Sequence, residues 1–265
     1  MADADLENKI IAILFNIIRL LELSVAEFEK LIPKPVFLDA DTERKRWRFE
    51  QGSPQILQVL MCVRVASGLR ACVVLLANGQ MTEIGVLLRT IDDFLAEITF
   101  MDEVTEKGID NCTTEHKRFL EEYFFDNNRT TEEMLEDSVN PTRKVDFTKH
   151  RQKMQASEAR LLGGDDPHHI KKTVKTIDDA WSGVVHGSYQ SVMEMYGGES
   201  IETAHFEAGG TGARFSPYRH HIGLHVHHAL NEFCKVAYNL GHNQLAHHLR
   251  EMRREFEKSP AYTAR

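Results

Sequence analysis

Residues Ser53 to Val104 read SPQILQVLMCVRVASGLRACVVLLANGQMTEIGVLLRTIDDFLAEITFMDEV, and the punctuation of this stretch decides the fold. Ser53-Pro54 pairs a cap residue with a first-turn proline, and Asn78-Gly79 supplies the residues that close a helix. A second helical pattern starts at Met81 and runs to about Val104, leaving room for only a tight turn. The spacing therefore predicts two helices in an antiparallel hairpin.

Outward from the hairpin the pattern stays helical. An N-terminal helix is expected from about Asp5 to Leu31, stopped by Pro33 and Pro35, because proline cannot continue a helix interior. A basic loop, Arg44-Lys45-Arg46-Trp47-Arg48, connects it to the hairpin. Thr113 to Asn127 and Thr131 to Asp137 read as an acidic helix and a short helical turn, and Pro141 to Leu162 as a polar helix. A further helix is expected from about Asp166-Pro167 to Tyr196, ended by Gly197-Gly198. One long irregular loop follows, near residues 197–217. The last helical region, about Tyr218 to Lys258, is expected to break near Gly241. The fold class is all-α: one domain over residues 1–265, a bundle of about six to eight helices.

Composition is that of an ordinary globular protein, 42% hydrophobic and 27% charged. Ile10 to Leu23 is the longest apolar run seen, but Asn16, Arg19 and Glu22 interrupt it. It falls short of the roughly 20 apolar residues a membrane span needs, so it reads as a core helix with no membrane role. MADADLENK lacks a basic n-region and a small-residue cleavage site, and the expected location is the cytoplasm. Cys62, Cys72, Cys112 and Cys234 show no Cys-x-x-Cys spacing and are expected to be reduced and mostly buried.

The net charge of -8 is uneven. Asp92 to Asp137 carries fifteen acids against four bases, while the rest of the chain is slightly basic. That segment would repel a phosphate backbone and suits a basic protein partner.

Eight of the fourteen histidines lie between His220 and His248. Wound at 100° per residue, Ile222, Val226, Ala229, Phe233, Ala237 and Leu240 form one stripe, and His221, His225, His228 and Glu232 form a second beside it. Imidazole is the commonest metal ligand and titrates near neutrality. A transition metal on His221, His225 and His228 is one reading, with a further ligand such as His186, Asp179 or His247. A polar flank without a ligand is the other.

Arg89, Asp93 and Glu97 recur at i, i+4 and i+8, opposite Ile84, Leu87, Leu88, Ile91, Leu95 and Ile98. They read either as a surface ladder of weak ion pairs or, with Val86 on the same side, as a partly buried fixed pair. His186 stands between Gly183 and Gly187, which permit close approach of a helix or a ligand, and points away from the Trp181 face as an acid–base candidate.

Leu87-Leu88-Arg89-Thr90-Ile91-Asp92-Asp93, with Trp181-Ser182-Gly183-Val184-Val185-His186-Gly187 later, resembles an uncharacterised bacterial all-helical family of unknown function. Asp93 stands where that family carries Glu. The resemblance spans about Ala77 to Gly241 and implies a helical core in which Arg89, Asp93 and His186 approach one another. That arrangement is in turn similar to HEPN domains, helical bundles found as ribonuclease toxins and defence proteins. The HEPN spacing of Arg to His occurs at Arg219 to His225, Arg143 to His150, Arg214 to His220 and Arg214 to His221. Eighteen arginines and fourteen histidines produce about as many by chance, so the likeness rests on architecture.

The resemblance implies a homo-oligomeric ribonuclease of stress or phage defence, with Arg89, Asp93 and His186 catalytic, RNA or a protein as partner and no cofactor required. The alternative is a non-enzymatic interaction module, of antitoxin or scaffold type, that binds a basic partner through residues 92–137.

Overall fold

The computed structural model describes residues 2–38, 46–108, 111–125 and 216–263, together with residues 166, 168, 169, 172, 175, 196, 197, 205 and 206. Seven helices lie among them: α1 (Ala2–Glu29), α2 (Pro54–Ala77), α3 (Met81–Lys107), α4 (Thr114–Phe125), α5 (Ser216–Asn239), α6 (Asn243–Phe256) and α7 (Pro260–Thr263). The all-α bundle expected from the sequence is the fold observed.

The two helix-ending glycines act as the sequence suggested. Gly79 (φ 71°) follows α2, and the chain closes it with Gly79 N–H on Leu76 O at 3.1 Å and Gln80 N–H on Leu75 O at 2.9 Å. Gly241 (φ 76°) ends α5 with the same pair of bonds, to Tyr238 O and Ala237 O. A residue without Cβ takes this left-handed conformation freely. At the other end of α2, Ser53 Oγ accepts from Ile56 N–H at 3.2 Å, with Pro54 in the first turn.

Two short antiparallel ladders depart from the expected absence of strands. β1 (Val36–Leu38) pairs with β2 (Arg46–Arg48), so half of the supposed basic loop is extended and Trp47 lies opposite Phe37. β3 (Tyr196–Gly197) pairs with β4 (His205–Phe206), which puts Tyr196 in a strand and gives the segment expected to be irregular some regular pairing. Three and two residues are too few to show a period-2 pattern.

One apolar cluster joins the helices. α1 contributes Ile10, Leu14, Ile18, Leu21 and Phe28; α2 Leu57, Val65 and Leu69; α3 Ile84, Leu88 and Leu95; α5 Ile222, Val226 and Phe233. Phe28 meets Phe233 with ring centroids 5.9 Å apart. The apolar stripe predicted for α5 is buried, except that Leu240 is half-buried, and His225, His228 and Glu232 of the stripe beside it are buried as well. Burial of this apolar area is the main stabilising term.

The most apolar segment is α2, not Ile10 to Leu23. By length and composition α2 is long enough to cross a membrane, yet half of its apolar window is buried inside the bundle. It packs on α1, α3 and α5, and a helix enclosed on several sides is apolar nearly all round. Glu22 grips Arg70 in a two-pronged pair that ties α1 to α2, with Arg70 Nη2 2.7 Å from Glu22 Oε2.

Candidate functional site

The site begins with a carboxylate on the wrong face. Asp92 falls between Leu88 and Leu95 on the buried stripe of α3 and is 3% exposed. A charge taken out of water there needs a partner. Helix α5 supplies His225, 1% exposed, whose Nε2 lies 2.8 Å from Asp92 Oδ1. The oxygen sits off the ring N–H direction, so the contact is an ion pair by distance without the alignment of a hydrogen bond.

The other ring nitrogen fixes the proton count. His225 Nδ1 is 2.7 Å from His221 O, a carbonyl that can only accept, so Nδ1 carries a hydrogen. A bare Nε2 would then face a bare carboxylate, lone pair against lone pair. The contact therefore holds one proton more than neutral imidazole plus carboxylate, which is the state of a buried ion pair.

The flanking histidines are driven the opposite way. Burial, and then the charges of His225 and His220, lower His221 to about 4, with Asp92 opposing. Burial, and then His225 and His227, lower His228 to about 3, again against Asp92. His227 reaches Glu257 instead, Nε2 to Oε1 at 2.8 Å, and burial outweighs that carboxylate in lowering it. His242 caps α6, its Nδ1 accepting from Leu245 N–H at 3.3 Å. Five of the eight crowded histidines thus serve as one latch on Asp92 (His225), two rings held neutral at pH 7 (His221 and His228), a clamp (His227) and a cap (His242).

Among the described residues no three His, Cys, Asp or Glu side chains are grouped so as to hold a metal. Of the proposed ligands His221, His225 and His228, His225 in particular has both nitrogens engaged within the protein.

One residue along α3, Asp93 points to the other side and holds Arg89: Nη1 to Oδ1 is 2.7 Å, with the side chains 23% and 40% exposed. This is the partly buried fixed pair, not a solvated ladder. A turn further on, Glu97 is half-buried, and burial followed by Asp93 pushes its carboxyl up to about 7. From α2, the Arg64 guanidinium lies 5.2 Å over the Phe94 ring. From α4, Tyr123 is raised by burial and by Glu97 and drawn back by Arg64.

A second polar knot lies farther along α3 and α5. Asp102 Oδ1 accepts from Gln58 Nε2 at 2.7 Å and from Asn239 Nδ2 at 3.0 Å, while Lys235 Nζ sits 3.5 Å from Oδ2 and 2.8 Å from Glu232 Oε1. Burial and Glu232 push Asp102 up to about 7 against Lys235 and Gln58. Helix α4 is fastened by His116, which stacks on Phe100 at 4.0 Å and donates from Nε2 to Phe100 O at 3.2 Å.

Of the expected catalytic set, Arg89 and Asp93 are joined, and His186 lies outside the described residues. So do Arg143, His150, Asp179 and Arg214. Sequence reading missed Asp92, Arg64 and Tyr123. Asp92 carried a usable signal, since an acid between Leu88 and Leu95 on an apolar stripe demands a basic partner. Arg64 and Tyr123 carried none, because only the packing of α2 and α4 on α3 brings Arg64 over Phe94 and Tyr123 within electrostatic reach of Glu97.

No family model, curated protein or solved structure matches this chain.

Proposed function

We propose that the protein is a HEPN-like helical effector, a metal-independent ribonuclease of stress or phage defence, acting as a homo-oligomer in the cytoplasm. Arg89 is the cation that steadies the phosphate, Asp93 holds it in place, and His186 is the acid–base group. The observation that carries this reading is the Arg89–Asp93 pair. A guanidinium has five donors, and the bond to Asp93 fixes it while the side chain stays reachable. A fixed cation on rigid helix suits stabilisation of a phosphoryl transition state.

The test is cleavage of total RNA in EDTA by the wild type beside Arg89→Ala and His186→Ala. Both variants should lose activity by 10²-fold or more, on the order expected for losing an acid–base group or a charge-stabilising donor. Equal activity in His186→Ala removes His186 from the mechanism.

A second reading keeps the acidic segment as a docking face for a basic protein. Glu115 and Glu121 stand exposed on α4 and favour it. Against it, Asp92, Asp93 and Asp102 spend their charges on His225, Arg89 and Lys235. Binding that weakens with salt and survives His186→Ala would support this reading.

A further inference from the structure

The charges at the far end of the α3–α5 seam do not balance, and two acceptors there lack a donor. Asp102 from α3 and Glu232 from α5, with side chains 10% and 8% exposed, share one cation, Lys235. The sharing is unequal: Lys235 Nζ lies 2.8 and 3.1 Å from the two Glu232 oxygens and 3.5 Å from Asp102 Oδ2. Asp102 Oδ1 is taken by Gln58 and Asn239, but Asp102 Oδ2 and Gln58 Oε1 are buried without a hydrogen-bond donor. An ionised carboxylate can only accept, so this knot is short of both a positive charge and a hydrogen. Burying an unbalanced charge is costly, and a proton is the smallest cation that removes it. Glu232 is anchored: Asn231 Nδ2 donates to its Oε1 at 3.0 Å, and Asn231 Oδ1 is held in turn by Arg253 of α6. Lys235, 43% exposed on a flexible stem, is the member free to move. Among the described residues, the groups brought against Asp102 are Gln58 and the Cys62 thiol from α2 and Glu232, Lys235 and Asn239 from α5. From α4, His116 is engaged with Phe100 and Thr113, and Glu103, next along α3, sits about 100° round the helix.

We propose that this knot is a proton-operated switch in the fold. With a proton on Asp102, Lys235 belongs to Glu232 and the last turns of α5 are held on α3; when the proton leaves, two carboxylates compete for one ammonium and that end of α5 loosens. The observed positions are those of the first state, with Lys235 seated on Glu232 and Asp102 Oδ2 left without a donor. Burial, and then Glu232, push the Asp102 carboxyl up to about 7 against Lys235 and Gln58, which sets the exchange near neutrality. Burial opposes the charge on Lys235, but Glu232 and then Asp102 outweigh it, so the ammonium stays charged in both states. Asp92 holds α5 separately at His225, ten residues or about 15 Å along the helix from Lys235, so the loosening is confined to the C-terminal part of α5. The switch needs no substrate and stands whether or not the ribonuclease reading does.

Two measurements on the full chain test the switch. In the first, carboxyl-labelled aspartate is followed by NMR from pH 4.5 to 8.5, and Asp102, assigned by its loss in Asp102→Asn, should titrate near neutrality. Glu232→Gln should lower that midpoint by about one pH unit or more and Lys235→Met should raise it, because one removes the competing carboxylate and the other the counter-charge. A midpoint at the ordinary carboxylate value of about 4, or one that neither variant moves, overturns the proposal. The second is hydrogen exchange of the Leu240 and His242 amides, which bond to the Val236 and Ala237 carbonyls at the end of α5. Protection factors divide out the intrinsic pH dependence of exchange. They should fall by up to about tenfold per pH unit as the pH rises towards neutrality and level off above it, since a carboxyl with a raised pKa favours the closed form only while it keeps its proton. In Asp102→Asn, which is neutral at every pH, that fall should vanish. Wild-type protection that ignores pH, or Asp102→Asn protection that follows the wild-type curve, overturns the proposal. Should Asp102→Asn fail to fold, the wild-type protection curve and the displaced midpoint in Glu232→Gln decide it.

Discussion

Asp92 on α3 and His225 on α5 meet at 2.8 Å with side chains 4% and 2% exposed, an ion pair by distance whose other ring nitrogen is spent on the His221 carbonyl. It is one of the contacts that join the first half of the bundle to its last, beside Asn239 and Lys235 on Asp102 and Phe28 on Phe233.

The two ends of that pair should not cost the same to remove. His225→Leu strands a carboxylate among Leu88 and Leu95 and should cost about 3–5 kcal/mol. Asp92→Leu should cost less, because an imidazole sheds its extra proton near neutrality and a carboxylate must gain one. The double variant Asp92→Leu/His225→Leu should recover most of the loss, since an apolar pair of similar volume replaces a buried ion pair nearly neutrally. Urea unfolding of the three variants at pH 7 checks the order; a double variant as weak as His225→Leu would contradict it.

The pH dependence has two opposed contributions. His221 and His228 titrate in the folded chain at about 4 and about 3, below the ordinary 6.5. The unfolded chain binds more protons below about 6.5, so their contribution is whole above that pH and drains away as the pH falls towards 4. Glu97 and Asp102 are raised to about 7, so the folded chain holds the extra protons between about 4 and 7. Their contribution is whole below about pH 4 and drains away as the pH rises through 7. In denaturant titrations from pH 4.5 to 7.5, His221→Asn/His228→Asn should make stability fall more steeply with rising pH. Glu97→Gln/Asp102→Asn should make it rise instead, and slopes identical to the wild type would refute both assignments.

Helices α5 and α7 touch backbone to backbone at Gly223, where a Cβ would run into the Ala261 carbonyl oxygen. Gly223→Ala should therefore cost about 1–3 kcal/mol through overpacking. The effect should show as early release of the C-terminal turn, in faster hydrogen exchange of the amides of Tyr262 and Thr263, whose carbonyl partner is Ser259. Unchanged exchange there would mean that the two helices separate without cost.

Thiol chemistry should be slow in two places. Burial, and next the nearby Glu232 and Asp102 carboxyls, push the Cys62 thiol up; burial pushes Cys72 up to about 12. The thiolate is the reactive form. A disulfide reagent at pH 8 should therefore modify the half-buried Cys112 and Cys234 first, leaving Cys62 and Cys72 until the chain unfolds. Four equally fast thiols would rule out this core.

The helical fold was legible because its punctuation is local. Ser53-Pro54, Gly79 and Gly241 each act through bonds within a few residues, so reading the chain in order finds them. The end of α1 lies at Glu29, two residues before the expected Leu31, because Pro33 and Pro35 mark where a helix cannot go but not where it stops. Arg89 and Asp93 were legible for the same reason, being one turn apart on a single helix.

The candidate site was harder to read because its decisive contacts are distant in sequence. The spacing of His221 and His225 is legible in sequence, but not that it carries a ring-to-carbonyl bond or that the charge partner of His225 lies on another helix. Periodicity reports which residues share a face and says nothing of which face meets it. Asp92 and Asp93 look alike in sequence, and a 100° rotation sends one into the core and the other to the rim.

The pairing of α3 with α5 carries a kinetic consequence. The α2–α3 and α5–α6 hairpins are joined by tight glycine turns and can form from neighbours, whereas the bond from Asn239 to Asp102 spans 137 residues. Contacts that far apart wait on the closure of a long loop. Docking of α5 on α3 is then a late event in folding, and the buried charges at that seam act chiefly as a brake on unfolding: loosening them shortens the lifetime of the native state more than it delays its formation.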